Sequence, residues 1–289
     1  MPGSTNRLES DLDTLRFVDD YRDCADSFTG LTGPTGIPDE LFGVRLVGST
    51  DNHVAADTHK PQADANPGWL TVALDLLLAR AALGGCSITS AVTLRMDLNV
   101  HAPTLWSATS IRGIGRRSFT SDALSMSTAE FRTADGALVA TGMGAFVAVD
   151  VPLPHPYVAR STSAPSASLS DLLHLEIDHR SGTGTLPTGD AIANPSGVTH
   201  GGVQAAALCE AIARVTTARL GEPVGIVNVG VEFLKPLVAD NSVLQIGVRE
   251  RRLGRAFGTV EAELAGTHGV GTRATATLSR PNRPSPEKE

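Results

Sequence analysis

Ala73-Leu74-Asp75-Leu76-Leu77-Leu78-Ala79-Arg80 lies without a gap over Ala207-Leu208-Cys209-Glu210-Ala211-Ile212-Ala213-Arg214, at an offset of 134 residues. Each stretch is apolar nearly all round, as a helix wrapped by a sheet would be. A self-similar segment of this kind means two copies of one structural unit, and the match continues into the flanking sequence. After each helix comes an extended stretch that ends at a proline. Val92, Leu94, Met96, Leu98 and Val100 alternate with Thr93, Arg95, Asp97, Asn99 and His101 before Pro103. Val227, Val229, Val231 and Phe233 alternate with Asn228, Gly230 and Glu232 before Pro236. Period-two alternation predicts strands with one buried face.

Leu105 to Gly115-Arg116 then lies over Leu244 to Gly254-Arg255, which makes the first copy a few residues shorter in the intervening loop. A strand closes each copy, at 137–149 and 270–278, and one opens each, at 41–47 and 173–179. Each unit reads as strand, loop, long buried helix and several antiparallel strands. The predicted class is α+β: a tandem pair in which each module is a curled antiparallel sheet around a long central helix.

The punctuation places the boundaries. Residues 1–37 form an N-terminal extension. In it Leu8, Leu12, Leu15 and Val18 recur at helical spacing, and 30–38 is a Gly/Pro-rich linker. Module 1 spans 38–150, a Pro/Ser/Ala-rich linker 151–170, and module 2 171–280. The tail 281–289 has the composition of a disordered segment.

At 289 residues, with 41% hydrophobic residues, the chain can fill two cores. A net charge of −7 argues against a nucleic-acid binder, which needs a basic field. Three cysteines without a CxxC pair fit a reducing cytosol. MPGSTNRLESDLD has no apolar stretch of a signal peptide, and apolar runs stop well short of the roughly 18 residues a membrane span needs. The expectation is a cytoplasmic protein with no membrane or nucleic-acid partner.

The most specific string is Asn194-Pro-Ser-Gly197-Val-Thr-His200-Gly201-Gly202-Val203, leading into the second helix. Glycines at a helix start let a ligand approach the backbone. The first-turn N–H groups there have no intrahelical partner and carry the positive end of the dipole, so they can polarise an acyl carbonyl or stabilise an oxyanion. Spacing alone also allows a second reading: a tight Gly-rich loop with His200 as a cap.

N-x-x-G-x-x-H-G-G running into a helix resembles the hotdog-fold acyl-CoA thioesterases of the phenylacetate-pathway (PaaI) type. VGVEFLKP and Gly254-Arg255 are also similar to that family. The resemblance covers most of 171–280 and reaches 38–150 only weakly, through the repeat. It implies a double hotdog, with sites at the module interface that combine Asn and His-Gly-Gly of one module with an acid from the partner's helix. That acid lies nine residues after the His position. It also implies a Ser or Thr eighteen residues past the acid, and acyl-CoA as substrate with no further cofactor or metal.

This sequence divides the motif. Nine residues after His200 stands Cys209, and Glu210 is one helical step, about 100°, off the expected face. In the first copy Asn66-Pro67-Gly68 replaces His-Gly-Gly, yet Asp75 holds the acid position and Thr93 the position eighteen residues on. A lone carboxylate in LTVALDLLLARAAL is costly without a role. Strict alternation, however, puts Thr93 on the polar face.

The resemblance thus implies one composite site, with Asp75, Gly201, His200, Asn194 and Thr93 as catalytic residues. Gly202, Arg116 and Arg255 would bind substrate, the arginines reaching CoA phosphates; solvated turn arginines are the alternative. Arg117 shares that reading. Cys209, Trp69 and Trp106 read as packing residues, and His53, His59 and His101 lack metal spacing. Competing functions are a non-catalytic acyl-thioester binder and a hotdog hydratase or dehydratase, against which His-Gly-Gly speaks. Further association into a homodimer, equivalent to four modules, is expected of the family.

Overall fold

The structure, a computed structural model, describes residues 5–27, 41–51, 53–59, 66–84, 90–101, 110–149 and 168–280. The expected linker at 30–38, the greater part of the one at 151–170, the tail, Trp106 and Cys86 lie outside them. Helix α1 (Thr5–Asp26) precedes the first module. That module runs β1 (Val44–Ser49), β2 (His53–His59), a 3₁₀ turn at Pro67–Trp69, α2 (Leu70–Leu83), β3 (Ser90–Val100), β4 (Ser110–Thr120), β5 (Leu124–Thr133) and β6 (Leu138–Val149). The second runs α3 (Leu169–Leu173), β7 (Glu176–Asp178), β8 (Thr183–Pro187), a 3₁₀ turn at Asp190–Ile192, α4 (Gly201–Leu220), β9 (Gly225–Phe233), β10 (Val243–Leu253), β11 (Phe257–Gly266) and β12 (Gly269–Ser279).

The strands form one 12-stranded antiparallel sheet in the order β1-β2-β4-β5-β6-β3-β9-β12-β11-β10-β8-β7. Each module has the same internal order, and β3 pairs with β9 at the join, Arg95 opposite Glu232 and Asn99 opposite Asn228. The sheet curls over α2 and α4, which are buried along most of their lengths. Contact is backbone-close. A Cβ on Gly115 would lie 2.5 Å from the Leu77 carbonyl oxygen, and one on Gly142 2.4 Å from Leu74 Cδ1. Burial of Leu70, Leu74, Leu77 and Leu78 against Phe131 and Phe146 supplies the core of the first module, at roughly 25 cal/mol per Å² of apolar surface.

Several expectations need correction. Gly115-Arg116 is not a strand-end turn: it lies inside β4, where Gly115 is small because the strand crosses Leu77. Each module opens with a hairpin, β1–β2 or β7–β8, where a single strand is expected. Residues at the end of the expected linker already belong to α3, capped by Ser168, and His174 (φ 49°) turns the chain into β7.

In α1, Leu15 is 60% and Val18 36% exposed, and the side chains of Leu8 and Leu12 lie outside the described residues. The buried stripe is Phe17, Tyr21 and Cys24, set against Ala55 and Ile114 on the outer face of the first sheet half. Polar residues steer this choice. Asp20 pairs with Arg116, Tyr21 donates to Asp57, and Arg132 and Arg112 lie over the Phe17 and Tyr21 rings.

Alternation in β3 also breaks. Thr93 pairs with Phe146 but Arg95 with Ala145, so Leu94 is an extra, bulged residue. Val92 and Leu94 are therefore exposed, Met96 and Leu98 stay inside, and Thr93 turns to the helix face. The second copy repeats the device: Leu278 pairs with Ile226 and Thr277 with Asn228, which skips Val227.

Candidate active site

Asp75 lies in the middle of α2 and is 6% exposed. Its Oδ2 accepts from the Gly202 amide of α4 at 2.9 Å, and its Oδ1 from Thr93 Oγ at 3.1 Å. His200 caps α4, with Nδ1 accepting from the Gly202 amide at 3.1 Å and lying 3.4 Å from Asp75 Oδ2. Acid, cap histidine and hydroxyl thus come together from both modules.

The two glycines of the cap are small for different reasons. A Cβ on Gly201 would sit 2.9 Å from Asp75 Oδ2 and 3.3 Å from Phe233 Cε1. One on Gly202 would sit 2.6 Å from Val72 Cα. The Gly202 amide is taken by Asp75 and His200. Among the described residues no acceptor is recorded for the Gly201 amide, which points out of the first turn of α4 with the helix dipole behind it.

Asn194 is half-buried and spends its Oδ1 on its own loop, accepting from the amides of Ser196 and Val198 at 3.0 Å each. Arg116 sits on the outer sheet face, bound to Asp20 Oδ2 at 2.7 Å and Glu130 at 3.5 Å, away from Asp75. Arg117 donates to the Gly84 carbonyl, and Arg255 is exposed in the β10–β11 turn. The structure brings none of these arginines to the acid. Trp69 is buried ahead of α2.

Sequence reasoning missed Thr71. Its buried hydroxyl lies 2.6 Å from the Gly68 carbonyl and 2.8 Å from that of Gly202, bridging the starts of the two helices. The signal was there: a lone hydroxyl in an apolar helix. Phe233, read only as a core residue, borders the acid through Gly201.

The related position in the other half is built differently. Asn66 Oδ1 caps Gly68 at 2.8 Å, and a Cβ on Gly68 would meet Cys209 Cβ at 2.8 Å. Burial pushes the Cys209 thiol up to about 12, so it is protonated at neutral pH. Glu210 turns to Asn66 Nδ2 at 2.9 Å.

Residues 191–279 match the family model of the acyl-CoA thioesterase N-terminal domain. The chain superposes on the tesB protein of Mycobacterium avium subsp. paratuberculosis (TM-score 0.61, 12% identity, 86% of this chain and 100% of that one). It superposes comparably on a conserved protein of unknown function with hot dog fold from Alicyclobacillus acidocaldarius (0.58, 14%, 87% and 100%). The fold is a double hotdog. A 12:0-ACP thioesterase from Umbellularia californica is similar as well (0.53, 11%, 80% and 94%). No curated protein matches the sequence. Within the double hotdog, the family match falls on the module that carries Asn194, His200, Gly201 and Gly202, while Asp75 and Thr93 lie outside it. No described helix is long and apolar enough to cross a membrane.

Proposed function

We propose that the protein hydrolyses an acyl-CoA thioester at one composite site, where the start of α4 meets Asp75 of α2. The observation that carries this reading is the bond between Gly202 N–H and Asp75 Oδ2, which places a buried carboxylate against a glycine-built helix start in a fold shared with thioesterases. The acyl carbonyl oxygen takes the Gly201 N–H, and charge developing on it is stabilised by the helix start. Asp75, held by Thr93, removes a proton from water as the water oxygen bonds to the carbonyl carbon. The C–S bond then breaks, and the CoA thiolate leaves and is protonated. Direct attack by Asp75, giving an acyl anhydride that water opens, uses the same geometry. His200 holds the loop and the Gly202 amide; Asn194 holds the loop behind it. CoA enters as part of the substrate, and no other cofactor takes part.

The test is hydrolysis of an acyl-CoA panel by the wild type and by Asp75→Asn. Turnover that falls by at least about a thousandfold in a folded variant supports the site. Wild-type rates in Asp75→Asn would overturn it, and tight binding of acyl-CoA without any turnover would make the protein a binder.

A further inference from the structure

We propose that Asn66 and Glu210 are positioning residues for this reaction: their contact holds α2, and Asp75 with it, at the separation from α4 that the composite site requires. The inference rests on the thioesterase reading and deepens it.

Glu210 is a buried carboxylate with three donors: Asn66 Nδ2 at 2.9 Å, Ser170 Oγ at 2.9 Å and Arg214 Nε at 2.5 Å. A buried charge needs such partners. Arg214 and Ser170 both belong to the second module, so Asn66 supplies the bond that crosses between modules. The same Asn66 side chain accepts from the Gly68 amide, fixing the turn that starts α2.

The arrangement mirrors the candidate site. There, the start of α4 at Gly202 is tied to Asp75 in the middle of α2; here, the start of α2 at Asn66 is tied to Glu210 in the middle of α4. The two helices are therefore tied at two ends of their contact: at Gly202, by Asp75 and by the Thr71 hydroxyl, and at Glu210, by Asn66. One of them contains the reacting carboxylate, whose partners change during turnover. The other takes no part in the chemistry and can hold while the first is rearranged. Slack between the fastenings is small, because the helices meet at Gly68 against Cys209 and at Gly202 against Val72. A shift at Asn66 is carried along the rigid α2 to Asp75.

The test uses the full chain with Asn66→Ala, Glu210→Ala and Glu210→Gln, and two readouts. With its amide oxygen turned to Asn66, Gln keeps that bond while its NH2 donates to Ser170 Oγ and the half-exposed Arg214 turns to solvent, so Glu210→Gln should retain most activity. The alanine variants should lose about tenfold in kcat with KM within about twofold, as expected for a displaced catalytic group. The second readout is the Gly202 amide proton in NMR spectra, held downfield by its bond to Asp75. It should move upfield in both alanine variants and stay in Glu210→Gln. A merely structural contact would lower Tm and leave this resonance in place, and that result overturns the proposal. So does a moved resonance with unchanged kcat. If the wild type proves to lack turnover, the thioesterase reading fails, and the Gly202 resonance still decides whether Asn66 and Glu210 position the acid.

Discussion

The Gly202 amide donates to Asp75 Oδ2 at 2.9 Å across 127 residues of chain. Neither module contains this pair alone. The two copies have diverged so that one presents a helix start and the other presents the acid, and the β3–β9 pairing that joins the sheet halves keeps the two in reach.

Gly201 and Gly202 should respond differently to alanine. The Cβ of Gly201→Ala meets the far end of a side chain, Asp75 Oδ2, which can move. The carboxylate shifts, and kcat/KM should fall at least about tenfold with a stability change under about 1 kcal/mol. The Cβ of Gly202→Ala meets backbone, Val72 Cα at 2.6 Å and Thr71 O at 2.8 Å, so the helices must part. That should cost about 1–3 kcal/mol as overpacking. Urea denaturation beside hydrolysis separates the two cases, and equal stability losses would contradict them.

Thr93→Val is isosteric but cannot donate to Asp75 Oδ1. The acid loses the donor on its Oδ1, and kcat should fall about tenfold, while Thr93→Ser stays within about threefold. Steady-state kinetics of the pair checks this. A Val variant as active as Ser would show that the hydroxyl does nothing for the acid.

Thr93 also shows what could be read without coordinates. The duplicated helix and its all-round apolarity follow from residue type and spacing, because burial by a wrapping sheet leaves a strong local pattern; the division of the motif between His200 and Asp75 follows from the family resemblance laid over that repeat. Alternation alone puts Thr93 on the wrong face, because one bulged residue, Leu94, reverses the pattern. A bulge is set by pairing with β6, which lies some fifty residues away and leaves no local mark. The stripe in α1 failed for a related reason. Leu15 and Val18 have the right spacing, but Arg116 and Arg132 on the sheet select the face with Asp20 and Phe17. Helical spacing puts Glu210 off the face of Cys209, and its bond to Asn66 depends on the crossing of two helices, which no single segment encodes.

The contribution of α1 should be to stability alone. Phe17 is buried against the outer sheet face with Arg132 over its ring, while α2 lies on the inner face. Phe17→Ala should cost about 3 kcal/mol, near the lower end for a buried phenylalanine because the cluster is small. Turnover per folded molecule should be unchanged. Thermal melts with kcat measured well below Tm check this. A fall in kcat at full folding would mean that the outer face communicates with Asp75.

The buried thiol at Cys209 gives a pH dependence of definite sign. Burial raises it from 9.0 to about 12, with the neighbouring Glu210 charge adding to the effect. The unfolded chain releases this proton near 9, whereas the native chain holds it to about 12. Its contribution to stability is therefore complete below 9 and is lost as pH rises from 9 towards 12. Cys24, raised to about 11 by burial, acts in the same direction. Cys209→Ala removes the larger of these two contributions. The variant should be about 1 kcal/mol less stable near neutral pH, from lost packing, yet decline less steeply on going alkaline. Urea midpoints followed from about pH 8 to about pH 10.5 would show the two curves converging. Because the thiol stays protonated, hydrolysis should persist in Cys209→Ala, and native protein should resist alkylation at this position. Parallel alkaline declines in the two proteins would show that Cys209 ionises without penalty and is not sealed against Gly68.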